Sequence, residues 1–146
     1  MATINKSIKI KAPVSKVFGF ITDPENWTTY VSGLVAVNDL SKDVPAKGST
    51  FKWDYRIMGI KLSGKGEISE MVKNKRFGLD ISGRAKVNES FTFEKGDDGE
   101  TILTAFIDHE FPGAAMKAVS NTKLFEKLNS NEAKNILQKI KIICEA

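Results

Sequence analysis

Two ionisable side chains, Glu89 and His109, occur among apolar residues in two segments with strand-like alternation. In "KVNESFTFE", Glu89 alternates in step with Val87, Phe91 and Phe93. In "ETILTAFIDHEF", His109 keeps step with the apolar residues Leu103, Ala105, Ile107 and Phe111. Alternate residues of a strand share one face, so both ionisable groups point inward if the apolar sets do. An inward carboxyl and imidazole could orient a ligand hydroxyl or carbonyl, or act as acid and base in cyclisation or dehydration.

The short link between these segments sets the separation of the two groups. "KGDDG" is typical of a tight hairpin turn. A loop with an odd number of residues keeps odd positions opposite odd positions, which places Glu89 near Ile107 and diagonal to His109, within ~7–8 Å. Burial would raise the pKa of the carboxyl unless a nearby imidazolium lowered it. The alternative is that Glu89 lies at the rim of the sheet and that His109 has only a structural role.

An aromatic strand and a glycine-bearing strand precede these segments. Strict alternation at the start of "STFKWDYRIMGIKLSGKGEISEMV" predicts a half-buried strand whose apolar face carries Phe51, Trp53, Tyr55 and Ile57. After a turn at Met58 and Gly59, the return strand places Gly64 and Gly66 on one face with Leu62 and Ile68. Glycines remove side-chain volume there, which favours a cavity. The alternative is that they permit sheet curvature or close approach of the C-terminal helix.

Two short helices follow the first strand, "TINKSIKIKA". In "PVSKVFGFI" the apolar residues recur at helical spacing after Pro13. Asp23 and Pro24 then provide an N-cap and a first turn for a second helix. Trp27 and Tyr30 share one face of that helix, so the corner presents aromatic side chains to the sheet.

The chain closes with a helical region after Pro112 and Gly113. Its apolar stripe predicts one buried face, formed by Ala133, Ile136, Leu137, Ile140, Ile143 and Cys144. We expect this helix to cover the sheet. Asn129 followed by Glu132 resembles a capping box, which leaves open whether the helix is continuous through residues 129–131 or restarts there from a region that begins near Met116.

Composition excludes several classes of function. The 146 residues are 41% hydrophobic without a compositional break, which predicts one domain over residues 1–146. The 22 basic and 18 acidic residues are scattered, and three arginines do not make the basic patch of a nucleic-acid-binding protein. We therefore expect no nucleic-acid partner. The single cysteine, Cys144, has no partner for a disulfide and no neighbours at metal-ligand spacing, so we expect a packing role for it, no metal and no cofactor.

Apolar runs in the sequence are only a few residues long. A membrane-spanning helix needs about 18 apolar residues, so we expect no integral membrane association. The N-terminal residues include no apolar segment resembling a signal peptide, which predicts a cytoplasmic protein. The sequence leaves the oligomeric state open.

The order of elements resembles the polyketide cyclase/dehydrase-like branch of the START/pollen-allergen superfamily (SRPBCC). The resemblance covers about residues 3–145 and lies in "IKAPVSKVFGFITDPENW", "MGIKLSGKGEI", "TFEKGDDGETILTAFIDHEFPG" and "LNSNEAKNILQKIKIICEA". It implies an α+β helix-grip fold, in which a curved antiparallel sheet wraps around a long C-terminal helix. Members of this superfamily hold an apolar cavity between sheet and helix, bind lipids, sterols, polyketides or quinones, and in a minority of cases are enzymes.

The resemblance and the residues together leave three functions. We expect binding or carriage of a hydrophobic small molecule, such as a lipid, an isoprenoid quinone or a polyketide-like compound. The alternatives are a cyclase or dehydratase that uses Glu89 and His109, and a protein-interaction module like the co-chaperone members, with an exposed apolar groove instead of an enclosed volume. The candidate walls of the cavity are Trp27, Tyr30, Trp53, Tyr55, Leu79, Phe91, Phe125 and Leu128.

Overall fold

The computed structural model of the protein describes residues 2–57, 59–110, 113, 117, 118 and 121–146. The strands are β1 Ala2–Ile10, β2 Leu34–Asn38, β3 Thr50–Ile57, β4 Ile60–Val72, β5 Arg76–Gly83, β6 Lys86–Lys95 and β7 Thr101–Glu110. The helices of these residues are α1 Val14–Thr22, α2 Trp27–Tyr30 and α3 Lys123–Glu145, with short 3-10 turns at Pro24–Asn26 and Asp97–Gly99. Predictions made for Met58, Phe111, Pro112 and Met116 lie outside the described residues.

The strands form one antiparallel sheet in the order β1-β7-β6-β5-β4-β3-β2. Strands β2 to β7 follow each other along the sheet, and β1 closes the other edge beside β7. With α3 as the long C-terminal helix and the short helices after the first strand, this is the predicted helix-grip α+β fold. Strand β2 was not predicted, because its burial does not alternate and its pairing with β3 is interrupted by a bulge at Leu34 and Ala36.

The corner between α1 and α2 has the predicted cap. The Asp23 carboxylate accepts a hydrogen bond of 3.0 Å from the backbone N–H of Glu25. Helix α1 buries its apolar stripe, with Val17 and Ile21 fully buried. The second helix is shorter than a regular amphipathic helix, since a 3-10 turn leads into a single α-helical turn. That turn still buries both Trp27 and Tyr30.

Helix α3 is continuous over 23 residues, so the restart considered at Asn129 does not occur. Its N-cap is Thr122, whose hydroxyl accepts from the backbone N–H of Phe125 at 3.2 Å. The predicted apolar stripe is mostly confirmed, since Ile140 and Cys144 are buried. Ile143 is a correction: it is 37% exposed, because Cys144 takes the inward position in the last turn.

Gly64 and Gly66 make room for aromatic rings of the neighbouring strand. A Cβ on Gly66 would lie 2.3 Å from the ring of Phe51, and one on Gly64 would lie 2.9 Å from the ring of Trp53. Strand β3 pairs Phe51 with Gly66 and Trp53 with Gly64, which explains the contacts. The glycines therefore allow neighbouring groups to approach the backbone of β4 closely, which agrees with the alternative interpretation. The approaching groups are rings of β3 and, at Gly64, also the Ser82 carbonyl of β5, whereas that interpretation named the C-terminal helix.

Within the described ranges, no helix is both long enough and apolar enough to cross a membrane. Helix α3 has the length, but lysine and glutamate residues cover the side that does not pack against the sheet.

Candidate functional site

A cavity of about 160 Å³ lies between the sheet, the α2 corner and helix α3. Most of its lining is apolar, and the polar side chains that reach it are few. The sheet side is lined by Ile4, Leu34, Val37, Phe51, Trp53, Tyr55, Ile57, Leu62, Leu79, Ile81, Ala85, Val87, Glu89, Ile107 and His109. The helical side is lined by Trp27, Tyr30, Val31, Asn129, Glu132, Ala133 and Ile136.

Most of the predicted wall residues, and both predicted ionisable residues, line this cavity. The predicted walls that do so are Trp27, Tyr30, Trp53, Tyr55 and Leu79. Phe91, Phe125 and Leu128 do not line it. Phe91 and Phe125 are buried in the packed core instead, and Leu128 is 40% exposed on the outer side of α3.

Glu89 is the acidic group of the sheet wall. Strand β6 places it opposite Leu79 of β5 and Ile107 of β7. The pairing with Ile107 is the one that the length of the turn predicted. The side chain keeps part of its surface accessible because it faces the cavity. Burial among apolar groups raises the pKa of Glu89 from 4.5 to about 7. No group within the described ranges forms a hydrogen bond with its carboxyl, so a ligand could use both oxygens.

Two phenols lie close to the Glu89 carboxyl. Burial raises the pKa of Tyr30, and the charge of Glu89 raises it further. Burial also raises the pKa of Tyr55, with added contributions from Glu132 and Glu89. A negative neighbour disfavours the phenolate, so both tyrosines are neutral hydrogen-bond donors over the physiological pH range.

Backbone carbonyls hold most of the aromatic wall in place. The Ile21 carbonyl accepts from Trp27 Nε1 at 2.8 Å and from the Tyr30 hydroxyl at 3.0 Å. Trp53 Nε1 donates to the Lys65 carbonyl at 2.9 Å. The hydroxyl of Tyr55 has no such partner among the described residues. Of these four aromatic side chains, Tyr55 is therefore the one that can offer a polar group to a ligand.

The ring of Tyr55 lies against Gly33, just before strand β2. A Cβ on Gly33 would come within 2.4 Å of this ring. The Gly33 carbonyl also accepts from the backbone N–H of Arg56, at 2.8 Å, which fixes the two segments relative to each other. A glycine is therefore needed at this position for Tyr55 to reach the cavity.

His109 lies in the cavity wall but is directed to the helix. Its Nε2 is 2.8 Å from the amide nitrogen of Asn129 on α3. Burial lowers the pKa of His109, which favours the neutral imidazole. The register places Val87 opposite His109, so Glu89 is diagonal to it as predicted. No hydrogen bond joins Glu89 and His109 directly, and any proton exchange between them would pass through a ligand or water.

Two polar residues of the site were not among the predicted site residues. Asn129 and Glu132 had been considered only as a capping pair, yet both reach the cavity from α3. The two oxygens of Glu132 accept from the Ser32 hydroxyl at 3.1 and 3.0 Å. The three-residue spacing of Asn129 and Glu132, on the inner side of an amphipathic helix, was the sequence feature that could have indicated their role.

Comparison with known proteins agrees with this architecture. The family model described as "Polyketide cyclase / dehydrase and lipid transport" matches residues 1–145. No curated protein matches the sequence.

Solved structures share the fold at low sequence identity. TTHA0849 from Thermus thermophilus is 16% identical with a TM-score of 0.79, and the match covers 97% of this chain and 95% of that one. The Zhui aromatase/cyclase from Streptomyces sp. R1128 is 9% identical with a TM-score of 0.80, and the match covers 99% of this chain and 93% of that one. The di-domain ARO/CYC StfQ of the steffimycin biosynthetic pathway is 16% identical with a TM-score of 0.68, covering 97% of this chain and 44% of that one. At these identities the likeness concerns the fold.

Proposed function

This chain belongs to the polyketide cyclase/dehydrase and lipid transport family, and on that premise we propose that its cavity binds a small apolar molecule carrying one hydrogen-bonding group. One observation carries the proposal. A mostly apolar cavity exposes the Glu89 carboxyl, for which the described residues supply no hydrogen-bond partner. Ligand pockets are typically apolar with a few polar groups that fix orientation, and the Glu89 carboxyl, which faces the cavity, can serve as such a group.

The size of the cavity limits the part of the ligand that fits inside. Its volume of about 160 Å³ lies below the roughly 300–1,000 Å³ of typical small-molecule pockets. An apolar cavity of about 150 Å³ in another protein accommodates benzene. We therefore propose that one ring or a short alkyl segment occupies the cavity. The remainder of a larger lipid, quinone or polyketide-like molecule would extend beyond it.

Glu89 would orient the ligand. Below the raised pKa of about 7 the carboxyl is protonated and can donate to a ligand carbonyl or hydroxyl oxygen. The hydroxyl of Tyr55, on strand β3, offers a second donor in the same cavity. Apolar walls supply most of the contact area, and the polar groups fix the orientation.

Ligand binding is tested by extracting the protein purified from its own cells with organic solvent and titrating whatever is recovered. In parallel, 2-phenylethanol, 1-octanol and a short-chain benzoquinone are titrated by intrinsic fluorescence, since both tryptophans line the cavity. We expect saturable fluorescence changes. Ala133→Leu, which fills the cavity from α3, should abolish them, whereas Ala118→Leu on the exposed surface should not. The absence of any extract and of any saturable change would overturn the proposal.

An enzymatic role of the cyclase or dehydratase kind is the second candidate. The observation that favours it is the carboxyl with a pKa of about 7, since a group that titrates near the working pH can both take and give a proton. Its test is turnover. A ligand recovered from the cells should be converted on incubation with fresh protein, and Glu89→Gln should stop the conversion without weakening binding to a comparable degree. Recovery of the ligand unchanged after long incubation would favour simple carriage.

A further inference from the structure

We infer that the cavity selects an apolar amine over an apolar carboxylate of the same size, with the Glu89 carboxylate as the counterion of the ligand ammonium. This inference rests on the proposed function and specifies the charge of the ligand. It would exclude free fatty acids and aromatic acids as preferred ligands.

The charge carried by the lining residues is of one sign. Glu89 enters from the sheet and Glu132 enters from helix α3. No lysine or arginine is part of the lining that the described residues form. The lining formed by the described residues therefore contributes two acidic side chains and neither lysine nor arginine, although the sequence as a whole carries a formal charge of +4.

The histidine in the wall does not supply the missing positive charge. Asn129 donates to His109 Nε2 as the side chains are placed, which requires a neutral ring protonated at Nδ1. Burial lowers the pKa of His109 and so favours the same neutral form. The tyrosines beside Glu89 are uncharged donors. A ligand carboxylate would thus lose its hydration and face Glu89 and Glu132 without a counterion.

A ligand ammonium group, in contrast to a carboxylate, would be stabilised by the acidic side chains of the cavity. It can donate up to three hydrogen bonds, and the ionised Glu89 carboxylate has no hydrogen-bond partner among the described residues. The phenols of Tyr30 from α2 and Tyr55 from β3 lie beside Glu89, and His109 from β7 is its diagonal neighbour. Glu132 lines the same cavity from α3, and the β5 residue opposite Glu89 is the apolar Leu79. None of them is a cation that would compete with the ligand. Glu132 is already held by the Ser32 hydroxyl, so Glu89 is the acidic group left to pair with the amine.

The test uses three ligands with one carbon skeleton: 2-phenylethylamine, 2-phenylethanol and phenylacetate. Isothermal titration at about pH 8 should show the amine binding about tenfold more tightly than the alcohol, with phenylacetate weakest. The affinity for the amine should rise between about pH 6 and about pH 8 as Glu89 loses its proton, while that for the alcohol changes little. In Glu89→Gln the amine should lose its advantage over the alcohol. In Glu126→Gln, which alters an exposed acid of the same helix as Glu132, the advantage should remain.

The outcomes separate this inference from the proposed function. If the alcohol binds but phenylacetate binds as tightly as the amine, the charge selection is wrong and the binding function stands. If the pH dependence of amine binding is absent in the unmodified protein, Glu89 is not the counterion, whatever the behaviour of the variant. If none of the three ligands binds and extraction also yields nothing, the binding function itself fails.

Discussion

Asn129 on helix α3 and His109 on strand β7 are joined across the cavity wall, with the amide nitrogen 2.8 Å from the imidazole Nε2. An amide nitrogen donates but does not accept, so in this orientation of the amide the imidazole is the acceptor, which is the role of a neutral ring. Apolar burial is not directional. This contact is directional and fixes the position of the helix turn that lines the cavity.

Replacing Asn129 by Ala should lower the free energy of unfolding by about 1 kcal/mol, since a hydrogen bond between partly buried groups is lost. It should also raise the pKa of His109 towards its ordinary value, because the donor that favours the neutral ring is removed. Urea denaturation and an NMR titration of the ring measure the two effects. Asn135→Ala, on an exposed position of the same helix, is the control. An unchanged titration of His109 would show that the contact does not control the ring.

Glu89 should make stability depend on pH in a definite direction. The folded protein holds its pKa at about 7, above the ordinary 4.5, so folding favours the protonated carboxyl. Its stabilising contribution is complete below about pH 4.5 and is lost as the pH rises through 7. Relative to the wild type, the free energy of unfolding of Glu89→Gln should therefore increase by up to about 3 kcal/mol as the pH rises from 4.5 to about 7. Denaturation at a series of pH values measures the gain. Glu94→Gln, at an exposed position of the same strand, should show none.

The glycines of the sheet and of the first helix should respond oppositely to alanine. In Gly64→Ala the new Cβ would lie 2.0 Å from the Ser82 carbonyl oxygen, a backbone atom that cannot move freely. We expect a loss of several kcal/mol or failure to fold. In Gly19→Ala the Cβ meets nothing within 4 Å, and the helix should gain about 0.5–1 kcal/mol. Thermal denaturation of both variants tests the prediction. Equal effects would mean that the β4–β5 contact is looser than described.

Ile140 should contribute strongly to the attachment of α3, because it is fully buried in the core. Ile140→Ala should cost about 2–5 kcal/mol through lost burial and the void that remains. Ile142→Ala, at a position 61% exposed, should change stability by less than about 0.5 kcal/mol. Chemical denaturation compares the two. A near-neutral Ile140→Ala would count against the helix as a cover of the sheet.

Local patterns in the sequence were sufficient to predict the sheet register around Glu89. The parity of a tight turn and the alternation of two strands fix which residues face each other, and both are local properties. Strand β2 was not predicted, because no such local pattern marks it in the sequence. It lies at an edge, its residues do not alternate in burial, and it is held by pairing with β3.

Contacts between distant segments were less accessible from the sequence. The spacing of Asn129 and Glu132 fits a capping box, but their partners His109 and Ser32 lie 20 and 100 residues away. The role of Gly64 and Gly66 depends on where the rings of Trp53 and Phe51 turn, which strand patterning does not determine. Likewise, an apolar stripe wider than the contact with the sheet leaves its edge residue, Ile143, partly in solvent.

The most direct test of ligand binding inside the cavity is an NMR experiment on methyl-labelled protein saturated with 2-phenylethanol. Intermolecular nuclear Overhauser effects report which methyl groups lie within about 5 Å of the ligand protons. We expect contacts with Leu62, Leu79, Ala133 and Ile136, which line the cavity, and none with the exposed Val44 and Leu124. Contacts confined to Val44 or Leu124, or none at all at saturating ligand, would contradict the account.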